Sequence, residues 1–221
     1  MPNTDYFEKL PKPALGEPYL LTPGPLTTAY EVKQEMLKDW GSWDDEFRAM
    51  TAQIRTGLLA LIGPKADLYD CVPMQGPGSY AVEAMLGSFV PQDGKVLVLA
   101  NGAYGMRAAA TLEYLGRDKV VLDKGDYMPP RGAEVAEILA KDPAITHVMA
   151  IHCETSSGIL NPIEEIADAT RAAGRKLLID SMSAFGALAL HPAQLGCAAF
   201  VSSANKCIDC LLYTSPSPRD V

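Results

Sequence analysis

The sequence has no long hydrophobic run and no basic leader segment. None of its apolar stretches approaches the ~20 residues that a helix needs to span a bilayer. The first eight residues, MPNTDYFE, contain neither the basic part nor the apolar part of an export signal. These absences argue against a membrane protein and predict a cytoplasmic location.

Basic residues are also fewer than acidic residues. The chain has 19 Lys and Arg against 27 Asp and Glu, which gives a formal net charge of −8. Non-specific binding to nucleic acids depends on the neutralisation of phosphate groups. The acidic balance therefore argues against a nucleic-acid partner.

The composition fits neither a disordered nor a fibrous chain. Hydrophobic residues make up 48% of the 221 residues, and the 18 glycines follow no fixed period. At roughly 150 residues per domain, a chain of this length can bury a core of its own in one large domain or slightly more.

The cysteines, 5 in number, are too scattered for a disulfide framework. In a chain without an export signal they are expected to be reduced thiols. Cys207 and Cys210 form a single Cys-x-x-Cys, which leaves a metal or redox site open as an alternative. One such pair supplies only half of the ligands of a structural zinc site, and no second pair follows. We therefore predict no metal site.

Short apolar runs alternate with helical patterns along most of the chain. The predicted strands are Leu68–Met74 (weakened by Pro73), Lys95–Ala100, Lys119–Leu122, Thr146–His152, Lys176–Asp180 and Ala198–Val201. The predicted helices are Asp44–Leu61, Ser79–Phe89, Tyr104–Leu115, Arg131–Ala140 and Glu164–Ala173. This alternation predicts an α/β protein with a mostly parallel sheet and helices on both faces.

Composition divides the chain into three parts. Residues 1–65 are predicted to form a Pro-rich N-terminal arm and a first helix, and residues 66–209 a large domain. Residues 210–221 contain two Ser-Pro steps and no periodicity. They resemble read-through from a cloning adaptor, although a genuine disordered tail would look similar.

Polar residues follow several of the predicted strands. Because ligands of parallel sheets bind at the carboxyl ends of strands, these segments are the first candidates for a site. The turn at Gly76–Tyr80 opens a helix and suits a phosphate group. Gly76, Gly78 and Ala81 also match the Gly-x-Gly-x-x-Ala fingerprint of nicotinamide-binding proteins. That alternative requires an acidic residue after the next strand, where the chain has Asn101–Gly102.

Two charged residues stand at the ends of predicted strands. Asp180 closes an apolar strand, either as a functional carboxylate or as the N-cap of the following segment. Lys206 follows the last strand, either as an exposed loop lysine or as an amine nucleophile. With the Gly78–Ser79 turn and Tyr104, they supply the amine, carboxylate, helix N-terminus and aromatic ring that pyridoxal phosphate needs.

At these positions the sequence resembles the class V, fold-type I aminotransferases. The segments that carry the resemblance span residues 20–208: Leu20–Pro25, Gln75–Glu83, Asn101–Gly105, His152–Gly158, Ile179–Gly186 and Ser202–Cys207. The resemblance implies a fold-type I large domain with a seven-stranded type of sheet, pyridoxal 5′-phosphate as cofactor, and a homodimer. It also implies that a smaller C-terminal domain is missing from this chain.

The resemblance also assigns roles to individual residues. Lys206 would be the Schiff-base lysine and acid/base, and Asp180 would pair with the protonated ring nitrogen. The other implied contacts are ring stacking by Tyr104, the 3-hydroxyl by Thr155, the phosphate by Gly78 and Ser79 with Ser203 or Asn205, and the substrate entrance by Thr22, Pro23 and Gly24. The sequence departs from the family at Pro77 and Ser79, where Ser and Thr are expected, and at Ala184.

Within the family, two elements indicate the reaction. Asp180–Ser183 and Asn205–Cys207 resemble the branch that transaminates 2-aminoethylphosphonate with pyruvate, so an amine and a 2-oxo acid are the expected substrates. The alternatives are an alanine–glyoxylate or serine–pyruvate aminotransferase, a nicotinamide-binding module, and an inactive truncated fragment. The last is the expected state of the chain as written.

Overall fold

The computed structural model of the chain describes residues 16–208. The predictions for the start of the N-terminal arm, for Cys210 and for the tail at 210–221 concern residues outside this range. Among the described residues, no helix combines the length and the apolar character needed to cross a membrane.

Helices and strands alternate from residue 78 onward. The helices are α1 (Tyr30–Glu35), α2 (Asp45–Leu61), α3 (Gly78–Phe89), α4 (Ala103–Tyr114), α5 (Gly132–Lys141), α6 (Ile163–Ala172) and α7 (Pro192–Leu195). The strands are β1 (Lys95–Ala100), β2 (Asp118–Asp123), β3 (Ile145–Ile151), β4 (Cys153–Glu154), β5 (Ile159–Leu160), β6 (Lys176–Asp180) and β7 (Cys197–Val201). The predicted helices and strands between residues 79 and 201 are thus confirmed to within one or two residues at each end.

The described part of the main sheet has five strands in the order β2-β1-β3-β6-β7, and every pair in it is parallel. Strands β4 and β5 form a separate antiparallel hairpin. The chain runs from β1 outward to β2 and then returns to the other side of β1 with β3. This reversal creates a crevice between the carboxyl ends of β1 and β3, where ligands of such sheets bind.

Each face of the sheet is covered by its own helices. In β1, Leu97 and Leu99 pack on one side and Val96 and Val98 on the other, because successive side chains of a strand point to opposite faces. Helices α5 and α6 cover the first face, and α3 and α4 cover the second. This explains why the strand sequences are continuous apolar runs rather than alternating ones.

The predicted strand at Leu68–Met74 is wrong. The chain forms a 3₁₀ turn at Ala66–Leu68 and then continues without regular structure. Pro73 has no N–H to donate to a sheet, and Leu68 and Val72 are 69% and 75% exposed. Tyr69 is the part of this segment tied to the sheet, since its hydroxyl donates to the Cys197 carbonyl at 2.8 Å.

Helix α2 forms as its periodicity predicts but buries none of its residues. Ile54 and Leu61 on its apolar side are 49% and 54% exposed, whereas Ile62, just past its end, is 3% exposed. The helix is therefore fixed to the described domain mainly at its carboxyl end.

Replacing Leu97 with Ala tests the packing of the first core. Leu97 is fully buried, so the substitution should lower the free energy of unfolding by about 2–5 kcal/mol through lost apolar burial and a cavity. Leu37 is 86% exposed, and Leu37→Ala should change it by less than about 0.5 kcal/mol. Urea denaturation followed by circular dichroism measures both, and equal losses in the two variants would contradict the assignment of the core.

Candidate active site

Asp180 and Lys206 follow neighbouring strands of the sheet. Asp180 is the last residue of β6 and is paired with Val201, the last residue of β7. The Ser181 N–H donates to the Val201 carbonyl at 2.9 Å, which holds the two strand ends together. Lys206 lies shortly beyond Val201, in a turn in which its N–H donates to the Ser203 carbonyl at 3.2 Å. The structure therefore brings both residues to the same edge.

The carboxyl group of Asp180 is removed from water. The residue is 4% exposed, and its Oδ1 accepts the Met182 N–H at 2.9 Å. Burial raises the pKa of Asp180 to about 6; the Met182 N–H and Arg107 oppose this shift, and the Glu154 carboxylate adds to it. The interpretation of Asp180 as a cap for the following segment is thus partly right, but one N–H leaves the charge poorly compensated. A cation next to Asp180 would stabilise it.

The side chain of Lys206 is half-buried under the N-terminal arm. Its Nζ lies 3.5 Å from the Pro23 carbonyl oxygen. A Cβ added at Gly24 would come within 2.7 Å of Lys206 Cε, so the backbone there lies directly on the lysine. The Leu26 N–H donates to the Asn205 carbonyl at 3.3 Å, which ties the arm to the lysine turn.

The three residues predicted at the substrate entrance therefore differ in their surroundings. Pro23 and Gly24 contact the Lys206 side chain. Thr22 is exposed, and its hydroxyl donates to the Pro25 carbonyl at 2.7 Å within the arm itself.

The amino end of α3 reaches the same edge. A Cβ at Gly78 would lie 2.8 Å from Met182 Sδ and 3.5 Å from Ser203 Cβ, so this helix start touches the segments after β6 and β7. The Ser203 hydroxyl donates to the Asn205 side-chain oxygen. Within residues 16–208, the N–H groups of Gly78 and Ser79 have no hydrogen-bond partner, and no side chain caps the helix. An anion is the natural ligand of such a helix end.

Helix α4 begins close by, but its amino end is occupied by the protein. Both carboxylate oxygens of Glu154 lie near it: Oε2 accepts the N–H groups of Tyr104 at 3.1 Å and Gly105 at 3.2 Å. The Ser156 hydroxyl accepts the Ala103 N–H at 2.9 Å and donates to Glu154 Oε1 at 2.7 Å. Of these two helix starts, that of α3 has N–H groups left free by residues 16–208, whereas that of α4 is bonded to Glu154 and Ser156.

Tyr104 and Thr155 flank this contact. Tyr104 is the second residue of α4, and the guanidinium carbon of Arg107 lies 5.0 Å from the centre of its ring. Thr155 lies between Glu154 and Ser156 and is half-buried. The residues on either side of Tyr104 and Thr155 are thus hydrogen-bonded to each other, and these bonds span the crevice between β1 and β3.

Sequence reasoning missed three buried polar residues of this region. Glu154 is fully buried, and Asn101 and Asn161 bond to each other through both amide groups at 2.9 and 3.1 Å. Asn161 also donates to the Ile151 carbonyl at 2.8 Å. Glu154 lay within a motif that carried the family resemblance, but an acid next to Thr and Ser is also typical of an exposed loop. No local sequence signal distinguishes a buried glutamate from one in an exposed loop.

The remaining polar candidates have structural surroundings. His152 is buried, its Nδ1 lies 3.0 Å from the Ser181 hydroxyl, and burial lowers its pKa. Over residues 16–208, no group of three or more His, Cys, Asp and Glu side chains converges as a metal site would. The proposed partner of Cys207 in the Cys-x-x-Cys, Cys210, lies outside these residues.

Comparison with known proteins decides the family. The profile of the family described as aminotransferase class-V matches residues 45–209. The chain belongs to the class-V aminotransferase family. This membership favours the aminotransferase interpretation over the nicotinamide-binding alternative, and it implies pyridoxal phosphate as the cofactor.

Individual aminotransferases of this family are closely similar. The chain is 68% identical over 198 residues to the 2-aminoethylphosphonate–pyruvate transaminase 1 of Paraburkholderia xenovorans, covering 90% of this chain and 51% of that protein. It is 50% identical over 196 residues to the 2-aminoethylphosphonate–pyruvate transaminase of Pseudomonas fluorescens, covering 89% and 53%. The chain thus spans about half the length of the curated relatives that it matches.

Solved structures of two aminotransferases share the fold. The pyridoxamine–pyruvate aminotransferase of Mesorhizobium loti aligns with a TM-score of 0.80 at 25% identity, over 91% of this chain and 51% of that one. The alanine–glyoxylate aminotransferase of Nostoc sp. aligns with a TM-score of 0.80 at 25% identity, over 92% and 54%. The predicted aminotransferase fold with its mostly parallel sheet is confirmed.

The residues at the edge of the sheet fit the cofactor of this family. Asp180 is a buried carboxylate with one hydrogen bond, which suits a protonated ring nitrogen, and the open N–H groups of Gly78 and Ser79 suit a phosphate. Lys206 provides an amine at the next strand end. Each of these groups has a bonding capacity that the described residues leave unused.

Replacing Asp180 with Asn tests the electrostatics of the site. Because its folded-state pKa of about 6 exceeds the ordinary value of 3.8, the folded chain binds more protons than the unfolded chain between these values. The free energy of unfolding should therefore fall as pH rises from about 4 to about 6, by up to ~3 kcal/mol, and stay lower above that range. Asp180→Asn should lack this decrease, as measured by denaturant unfolding at several pH values.

The exposed Asp39 provides the control, since Asp39→Asn should keep the wild-type pH dependence. If the curves of the wild type and Asp180→Asn were parallel, the raised pKa of Asp180 would be wrong.

Proposed function

We propose that the protein represented by this chain transfers the amino group of 2-aminoethylphosphonate to pyruvate with pyridoxal phosphate, yielding phosphonoacetaldehyde and alanine. The observation that supports the chemistry is the poorly compensated carboxylate of Asp180 at the strand end next to the one that leads to Lys206. The names of the relatives that are 68% and 50% identical support this pair of substrates.

In this proposal, the residues of the chain have separate roles in binding the cofactor and moving a proton. When bound, pyridoxal phosphate supplies a carbon that takes up the amino group and a ring that withdraws electrons. Lys206 Nζ would remove the proton from the carbon that bears the substrate nitrogen and pass it to the cofactor carbon that takes up the amino group. Asp180 would hold the proton on the ring nitrogen, and the N–H groups of Gly78 and Ser79 would bind the phosphate.

The other assigned residues complete the proposed site. Tyr104 would stack on the ring, Thr155 would contact its 3-hydroxyl, and Ser203 or Asn205 would add a phosphate contact. Thr22, Pro23 and Gly24 line the way to Lys206. We further propose that the protein acts in the cytoplasm as a homodimer, that residues 66–209 form its cofactor-binding domain, and that residues 210–221 are not native.

Replacing Lys206 with Ala tests the role of the amine. The chain is incubated with pyridoxal phosphate and reduced with borohydride, and the modified peptide is identified by mass spectrometry. The wild type should carry the reduced cofactor on Lys206, and Lys206→Ala should lose nearly all of it. Lys176→Ala, at the opposite end of β6, should leave the yield unchanged. An undiminished yield in Lys206→Ala would overturn the assignment.

The substrate is tested on a chimera. Residues 1–208 are joined to the half of the Paraburkholderia xenovorans relative that this chain does not span, and amino transfer is measured beside that of the chain alone. 2-Aminoethylphosphonate with pyruvate should be used at least tenfold faster, in kcat/KM, than serine with pyruvate or alanine with glyoxylate. A chimera that prefers either of the latter pairs would assign the alternative reaction.

A further inference from the structure

The carboxylate of Glu154 connects the two strands that border the crevice. It follows β3 by three residues and binds the start of α4, which follows β1. Oε2 accepts two N–H groups of α4, and Oε1 accepts the Ser156 N–H at 3.1 Å as well as its hydroxyl. Glu154 therefore uses both oxygens to hold α4 against the hairpin β4–β5.

The fit around this carboxylate is close. A Cβ on Gly102, just before α4, would lie 2.5 Å from Glu154 Cγ, so only glycine leaves room for the side chain. Glu154 is fully buried, and burial of a charge costs several kcal/mol unless hydrogen bonds offset it. Ser and Asn cap helices without placing a charge in the interior. The charge itself therefore calls for an explanation beyond capping.

Two of the proposed cofactor contacts depend on this junction. Tyr104 donates its own N–H to Glu154, and Thr155 is the next residue in the chain. The carboxylate thus fixes the backbone of one residue assigned to the ring face and of one assigned to the ring hydroxyl. Both belong to segments that the sheet alone does not hold in register, because α4 and the hairpin lie beyond the ends of β1 and β3.

We propose that Glu154 is a positioning residue, which holds Tyr104 and Thr155 in place for the cofactor ring and adds a second buried negative charge beside Asp180. This inference rests on the proposed function. The charge of Glu154 acts on Asp180, where it raises the pKa. Together the two carboxylates make the edge of the sheet favourable for a cationic ring.

Glu154→Gln tests the inference, because the amide places an NH₂ group where one oxygen now accepts N–H groups. In the chain without cofactor, hydrogen exchange at the Tyr104 and Gly105 amides should accelerate at least about tenfold. The dissociation constant of pyridoxal 5′-phosphate, from absorbance titration, should rise about tenfold, and the visible circular dichroism of the bound cofactor should weaken. Glu113→Gln removes an exposed carboxylate from the same helix and should change none of these quantities.

The pH dependence of cofactor binding distinguishes positioning from a merely structural role. Without the Glu154 charge, the pKa of Asp180 falls, so the pH at which pyridoxal 5′-phosphate binding strengthens should move lower in Glu154→Gln. Ser156→Ala keeps the charge and removes one donor to it, so it should loosen the Tyr104 amide without moving this pH. If Glu154→Gln fails to fold, Ser156→Ala and Glu154→Asp carry the test through exchange and affinity.

The outcomes separate this inference from the proposed function. If neither the wild-type chain nor the chimera described above binds pyridoxal 5′-phosphate, both are overturned. A wild type that binds it, with the affinity, dichroism and pH dependence of Glu154→Gln unchanged, would overturn the role of Glu154 alone.

Discussion

Asp180 is 4% exposed, accepts one backbone N–H, and ends a strand whose neighbour leads to Lys206. Keeping a carboxylate in this state costs free energy, and burial is the main cause of its raised pKa. The parallel sheet maintains the arrangement because β6 lies between β3 and β7, with its apolar residues covered on both faces. A cation at this edge would recover part of the cost, so the burial of Asp180 by the core favours the binding of a cation there.

The starts of α3 and α4 differ in their hydrogen bonding. The N–H groups of Gly78 and Ser79 are free within the described residues, whereas those of Tyr104 and Gly105 bind Glu154. The start of α3 can therefore bind an anion, whereas the start of α4 already binds the carboxylate of Glu154. An anionic group of a ligand is therefore expected at the start of α3 rather than at the start of α4.

The sequence predicted what depends on local periodicity and strand ends. The apolar runs of β1, β3 and β6 were recognisable because both faces of these strands are covered, and Asp180 and Lys206 were recognisable from their places after strands. The strand predicted at Leu68–Met74 is wrong because a short apolar stretch with a proline is as typical of a partly exposed loop as of a strand. The contact between Glu154 and the start of α4 could not be predicted, because it joins segments about 50 residues apart in the chain.

The arm that precedes α1 lies on the Lys206 side chain, with Gly24 against the lysine and Leu26 bonded to Asn205. None of these contacts involves the two apolar cores. A longer side chain or an altered loop length near residue 24 would therefore change how much water reaches the amine while leaving the resistance of the sheet to unfolding nearly intact. The exposure of the Lys206 amine to water is thus set by a segment that lies outside the two apolar cores.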